Sequence, residues 1–125
     1  MKKAVPFSLF IIFTLHSCYQ PQRDCTAFKN GEFSFTTTIN GEKRTTTFIR
    51  KDAVEIDFYE GVADTSSVRW INDCEYIVKK INPRNKAEEK SIHMKILSTA
   101  EDSYTFEYGI VGENKKSTGT ALKIN

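Results

Sequence analysis

The chain offers no glycine-rich phosphate loop, no close-spaced cluster of metal-ligating side chains and no Gly-x-Ser-x-Gly nucleophile turn. Each absence removes a class of chemistry: nucleotide cradling, a zinc site, and hydrolysis by a serine elbow. Histidine is scarce, with two residues, and only His93 lies beyond position 18. An Asn-x-Ser/Thr acceptor is missing as well. Charge of one sign is equally lacking, because 18 Lys and Arg face 16 Asp and Glu, a net of +2 of which Lys2 and Lys3 supply both units. A nucleic-acid partner is therefore not expected, since phosphate binding depends on a concentrated basic surface. These gaps together lead to the expectation of a non-enzyme with no cofactor and no metal.

Long hydrophobic runs are absent too. The longest apolar stretch covers residues 4–15, shorter than the roughly 18 to 20 residues a membrane span requires. What is present instead is the layout of an export signal: basic Lys2 and Lys3, the apolar stretch, and small Ser17 before a cysteine. The run Leu15-His16-Ser17-Cys18 resembles the bacterial lipobox, with His16 an unusual occupant of its position. That resemblance implies cleavage between Ser17 and Cys18 and acylation of Cys18, by diacylglycerol and a further chain such as palmitate. An ordinary signal peptide or a membrane helix is the competing reading of the same stretch. Acyl chains contribute about 0.8 kcal/mol for each buried CH₂, so several on one residue hold a domain at a bilayer. The expected address is the bacterial cell envelope, with the domain facing the periplasm or the cell surface.

Three cysteines form an odd set. With Cys18 lipidated, Cys25 and Cys74 remain in an oxidising compartment, where a disulfide is the expected state and two free thiols the alternative. A metal site there is disfavoured, because no second cysteine lies close to either thiol. The bridge would close a loop of about 50 residues, which contributes about 4 kcal/mol in a chain-entropy treatment. The domain organisation read from the chain is a signal peptide over residues 1–17, a lipidated N terminus and tether over 18–30, and one β domain over 31–125. Within the tether, residues 19–23 show no periodicity.

From Gly31 onward, short segments rich in Thr, Phe, Tyr, Ile and Val alternate with turn residues. Asn40-Gly41 is the strongest hairpin signal, between strands at 32–39 and 43–50. Further strands are expected at 53–59, 66–71, 75–81, 92–98, 103–111 and 117–124, and a helix of about two turns at 83–90. From Phe48 on, bulky residues fall at even positions, including Val54, Ile56, Phe58, Val68, Trp70, Tyr76, Ile96, Phe106, Tyr108, Leu122 and Ile124. Alternation of faces lets these form one inner wall, with Glu55, Asp57, Arg69 and Lys95 on a polar outer face. Turns centred on Asp73 and Glu101 set Trp70 opposite Tyr76 and Ile96 opposite Phe106, and the two-residue turn sets Phe33 opposite Phe48. Ile49, Ile71, Ile77 and Leu97 break the alternation, as bulges, a second small core or a partner-facing surface. The expected fold is all-β: an antiparallel up-and-down meander of about eight strands, closed as a small lipocalin-like barrel or left strongly curved, with the short helix over an opening.

Candidates for chemistry are few. His93 should face solvent beside Lys95. Asp73 and Glu75 flank Cys74 and could form an acid/base pair, but they suit a turn and a hairpin rim. The two Thr triplets, 36–38 and 45–47, should lie across from one another, where cross-strand Thr contacts account for them. A candidate ligand cavity is lined by Phe35, Phe48, Trp70, Tyr76, Phe106 and Tyr108.

The start Cys18-Tyr19-Gln20-Pro21 and the hairpin Trp70-Ile71-Asn72-Asp73-Cys74-Glu75-Tyr76 make the chain similar, along its full length, to a family of small lipoproteins of Gram-negative bacteria. The resemblance implies membrane attachment but no established activity. Relatives sometimes carry the label DNA topoisomerase IV, an activity that needs a catalytic tyrosine beside metal-binding carboxylates and several times this length. The sequence thus points first to a membrane-anchored, non-catalytic binding or assembly module with an envelope protein as partner. The second reading is a lipocalin-like carrier of a small lipophilic ligand.

Overall fold

The computed structural model describes Lys3, Ala4 and residues 23–125. The cleavage site and Cys18 lie outside the described residues. A short 3-10 helix, Cys25–Phe28, precedes eight strands: β1 (Gly31–Ile39), β2 (Glu42–Lys51), β3 (Val54–Tyr59), β4 (Val62–Asn72), β5 (Glu75–Lys80), β6 (Ile92–Thr99), β7 (Ser103–Ile110) and β8 (Ser117–Lys123). Every strand pairs antiparallel with its successor, and β8 returns to β1 through Phe33↔Lys123 to Phe35↔Ala121. The sheet is thus a closed up-and-down barrel, which settles the choice between barrel and open sheet.

The turns decide which side chains enter the barrel. Asn40 and Gly41 have φ of 50° and 81°, and Glu60 and Gly61 have 48° and 77°, the positive values that a two-residue turn matched to strand twist requires. The expected registers Phe33↔Phe48, Trp70↔Tyr76, Val68↔Val78, Ile96↔Phe106 and Met94↔Tyr108 are all present. Strand β3 departs from expectation. Short turns on both sides of it shift parity, so that Phe48 faces Asp57, Arg50 faces Glu55 and Asp57 faces Asp64. Glu55 is therefore buried, whereas Val54 and Phe58 are exposed on the outside. Strand β8 is displaced in the same way: Tyr104 pairs with Ala121 and Phe106 with Gly119, which turns Leu122 and Ile124 outward. A Cβ on Gly119 would collide with the Phe35 ring, so glycine there makes room for that aromatic inside the barrel.

Two of the residues that break alternation mark register shifts, Ile71 between Trp70 and Asn72, and Leu97 between Ile96 and Ser98. Such bulges release one residue from pairing and re-aim the strand. The helix expected at 83–90 is absent. That segment is a set of turns with bonds from the Glu89 N–H to the Lys86 carbonyl and from the Lys90 N–H to the Ala87 carbonyl. The Asn85 side chain accepts the Glu88 N–H, an N-cap type of bond, but only single turns follow it. The only helical turn among the described residues is Cys25–Phe28, inside the stretch read as tether. Cys25 and Phe28 are buried in the main core with Phe33, Phe48, Ile96, Tyr104, Phe106 and Ala121.

Candidate functional site

The 3-10 turn closes one end of the barrel. Cys25 is disulfide-bonded to Cys74 in the β4–β5 turn, and the Lys123 ammonium donates to the Ala27 carbonyl at 2.9 Å. The Lys29 ammonium bonds Asp73 at 3.1 Å, which places Asp73 in a tie for the plug. Glu75 accepts from the Asn72 amide at 2.6 Å and stands 3.4 Å from His93 Nε2 on the outer surface. Thr36 and Thr45 meet through their hydroxyls at 2.9 Å, the cross-strand contact expected of the triplets.

Behind the plug lies Arg50, with no exposed surface. All five of its N–H groups are used. Nε donates to the Lys29 carbonyl at 3.1 Å and Nη2 to the Phe28 carbonyl at 2.6 Å. Nη1 donates to Glu55 at 3.0 Å and to the Tyr76 hydroxyl at 2.9 Å, and Nη2 also reaches the Tyr104 hydroxyl at 3.3 Å. The guanidinium sits over the rings of Phe33, Tyr76 and Trp70, 4.8 to 5.6 Å from their centroids. Burial opposes its charge, but Tyr76, Tyr104 and Glu55 outweigh that and hold it protonated well above the ordinary range. Burial likewise pushes the Tyr76 and Tyr104 hydroxyls up, so both stay neutral while accepting from Arg50. Among the described residues no buried side-chain polar atom lacks a hydrogen-bond partner.

Beyond this network the interior is not filled. A cavity of about 680 Å³ opens between the Arg50 layer and the far mouth, within the range of small-ligand sites. Phe35, Phe48, Tyr76, Phe106 and Tyr108 line it, as do Met94 and Tyr104. Trp70 does not line it. It lies toward the plug, with its ring 4.4 Å from Tyr76 and under the Lys29 ammonium at 5.1 Å.

The opposite wall carries side chains that the sequence reading assigned to the outer face or left unassigned. Glu55, Asp57, Tyr59, Val62, Asp64 and Lys80 all border the cavity. Lys80 is bound at the mouth to Asp64 at 2.8 Å and to Glu88 of the 83–90 segment at 3.1 Å, and its hydrogen bond to Asp64 raises its affinity for a proton. Burial raises the Glu55 carboxyl above the usual carboxylate range, against the pull of Arg50. Asp57 is pushed up to about 7, by burial first and then by the negative neighbours Glu55 and Asp64. Its carboxyl bonds Glu55 and has no ion-pair partner among the described residues. The signal that could have found this wall is Glu60-Gly61, a second two-residue turn of the Asn-Gly kind. Together with Asp52, φ 57°, it forces β3 to present odd positions inward.

Among the described residues no group of three or more His, Cys, Asp or Glu is arranged to hold a metal ion, and no helix is long and apolar enough to cross a membrane. No protein-family model matches the chain, and no curated protein matches it.

Proposed function

We propose that this chain is a non-catalytic binding protein that carries a small amphiphilic ligand inside its barrel and is held at a bacterial envelope membrane by acyl chains on Cys18. The single observation that supports the carrier reading over an assembly module is the 680 Å³ cavity, which seven aromatic side chains help to line. A barrel built merely to present a surface needs no such vacancy, because eight strands can be filled by side chains alone. Closure also removes the free sheet edge on which a partner strand could add. The anchoring part is supported by the lipobox-like run at Cys18, and by the bonding of Cys25 to Cys74, which leaves Cys18 as the one cysteine outside the disulfide and suits an oxidising compartment.

Native mass spectrometry of the protein purified from its own membrane tests both parts. A retained small molecule and a mass shift matching a cleaved, acylated Cys18 are expected. A copurifying protein with an empty barrel would favour the assembly module, and an uncut, unmodified N terminus would remove the anchor.

A further inference from the structure

The charges around the cavity narrow the class of ligand. Of the two cationic groups that reach the interior, Arg50 is consumed by Glu55 and by four oxygens of the plug and the tyrosines. Lys80 is consumed by Asp64 and Glu88. Arg84 stands at the rim, exposed to solvent, and the rim carboxylate of Glu60 is engaged by Arg44. Asp57 remains, half-buried on the wall between Glu55 and Tyr59, without a cation of its own. Phe35, Phe106 and Tyr108 line the same space, with Phe35 and Phe106 in edge contact, 5.3 Å between centroids. Aromatic faces attract a cation and accept an apolar body equally well. A fatty acid would meet the like charge of Asp57 and Glu55, whereas an ammonium supplies the missing counter-charge.

We propose that the ligand is a small amphipathic amine, whose ammonium docks on Asp57 and whose apolar body lies against Phe35, Phe106 and Tyr108. This deepens the carrier reading and rests on it. Docking carries a proton balance. The ligand enters as a cation, Asp57 must be ionised to receive it, and the proton it holds beforehand below about pH 7 leaves to solvent. The groups facing Asp57 are Glu55 and Asp64, both acidic, and Lys80, already paired to Asp64. Neither carboxylate has a cation to spare for Asp57.

The test uses the full-length protein with three matched probes, octylamine, octanol and octanoate, followed by isothermal titration calorimetry. At pH 8 octylamine should bind at least about tenfold more tightly than octanol, and octanoate more weakly than either. Near pH 6.5, titrations in two buffers of different ionisation enthalpy should show net proton release with the amine and none with the alcohol. Asp57→Asn should cost octylamine about tenfold in affinity and leave octanol unchanged, which also reports that the variant is folded. Equal or better binding of octanol or octanoate, or an amine preference that survives Asp57→Asn, overturns the amine assignment and leaves the cavity reading standing. Failure of all three probes to bind overturns both.

Discussion

A guanidinium withdrawn from water is costly unless every donor is met, and Arg50 shows how the cost is offset here. Its five donors converge on two plug carbonyls, one carboxylate and two phenols, so one side chain welds the 3-10 turn to β2, β3, β5 and β7. Removing it strands a buried Glu55. Arg50→Met should lower unfolding free energy by about 3 to 5 kcal/mol, read by urea denaturation, and the double variant Arg50→Met with Glu55→Gln should lose clearly less than the sum of the singles. Arg50 lies in a run that reads as an ordinary alternating strand, with its neighbour Phe48 correctly placed inward. An inward arginine looks like a fault in that pattern until partners three strands away are known, and those partners cannot be inferred from neighbouring residues.

The barrel's strands were legible because hairpins leave short-range signatures, and the parity of β1, β2 and β4 to β7 follows from the alternation of Phe, Val, Trp and Tyr. Strand β3 inverts the expected parity for a specific reason. Two parity shifts flank it, and because they cancel, reading straight through from β2 to β4 gives correct faces on both while inverting the strand between. The acidic wall of the cavity was hidden by that cancellation. Segment 83–90 reads as helix from composition, because Ala, Glu and Lys favour it, but it forms only turns, which the Lys80–Glu88 and Lys90–Glu113 ion pairs tie down over the mouth. The Cys25–Cys74 link ties the plug to the β4–β5 hairpin across 49 positions. Replacing both cysteines with serine should cost about 4 kcal/mol by loop-closure entropy, checked by denaturant titration. The loss of amide-exchange protection should be greatest at Cys25–Phe28 and around residue 74, where the constraint acts.

The whole barrel is poised against its own ionisation. Folded, Asp57 keeps its proton up to about pH 7, while the unfolded chain releases it near pH 4. Between those limits the folded state binds more protons, so stability falls as pH rises, and the full loss is present above about pH 7. Asp57→Asn should therefore raise stability by about 1 to 2 kcal/mol at pH 8, after allowance for the group's partial exposure, and change little at pH 4. Thermal unfolding scans at the two pH values check this. An unchanged difference between variant and parent across the range would contradict it.

Arg23 and Asp24 bond to the Ile96 carbonyl and to Thr99 beside the plug, so the polypeptide enters the fold at its sealed base. Strands β2, β4, β6 and β8 have their plug-side ends there, and the entrance lies at the opposite pole. Any leash pulling on residue 23 holds the cup by its foot, with the rim turned away from whatever the leash is fixed to. Cargo would then be exchanged with the surroundings across from that support, and a donor or acceptor would have to approach from above, past Arg84 and the Lys80–Glu88 clasp.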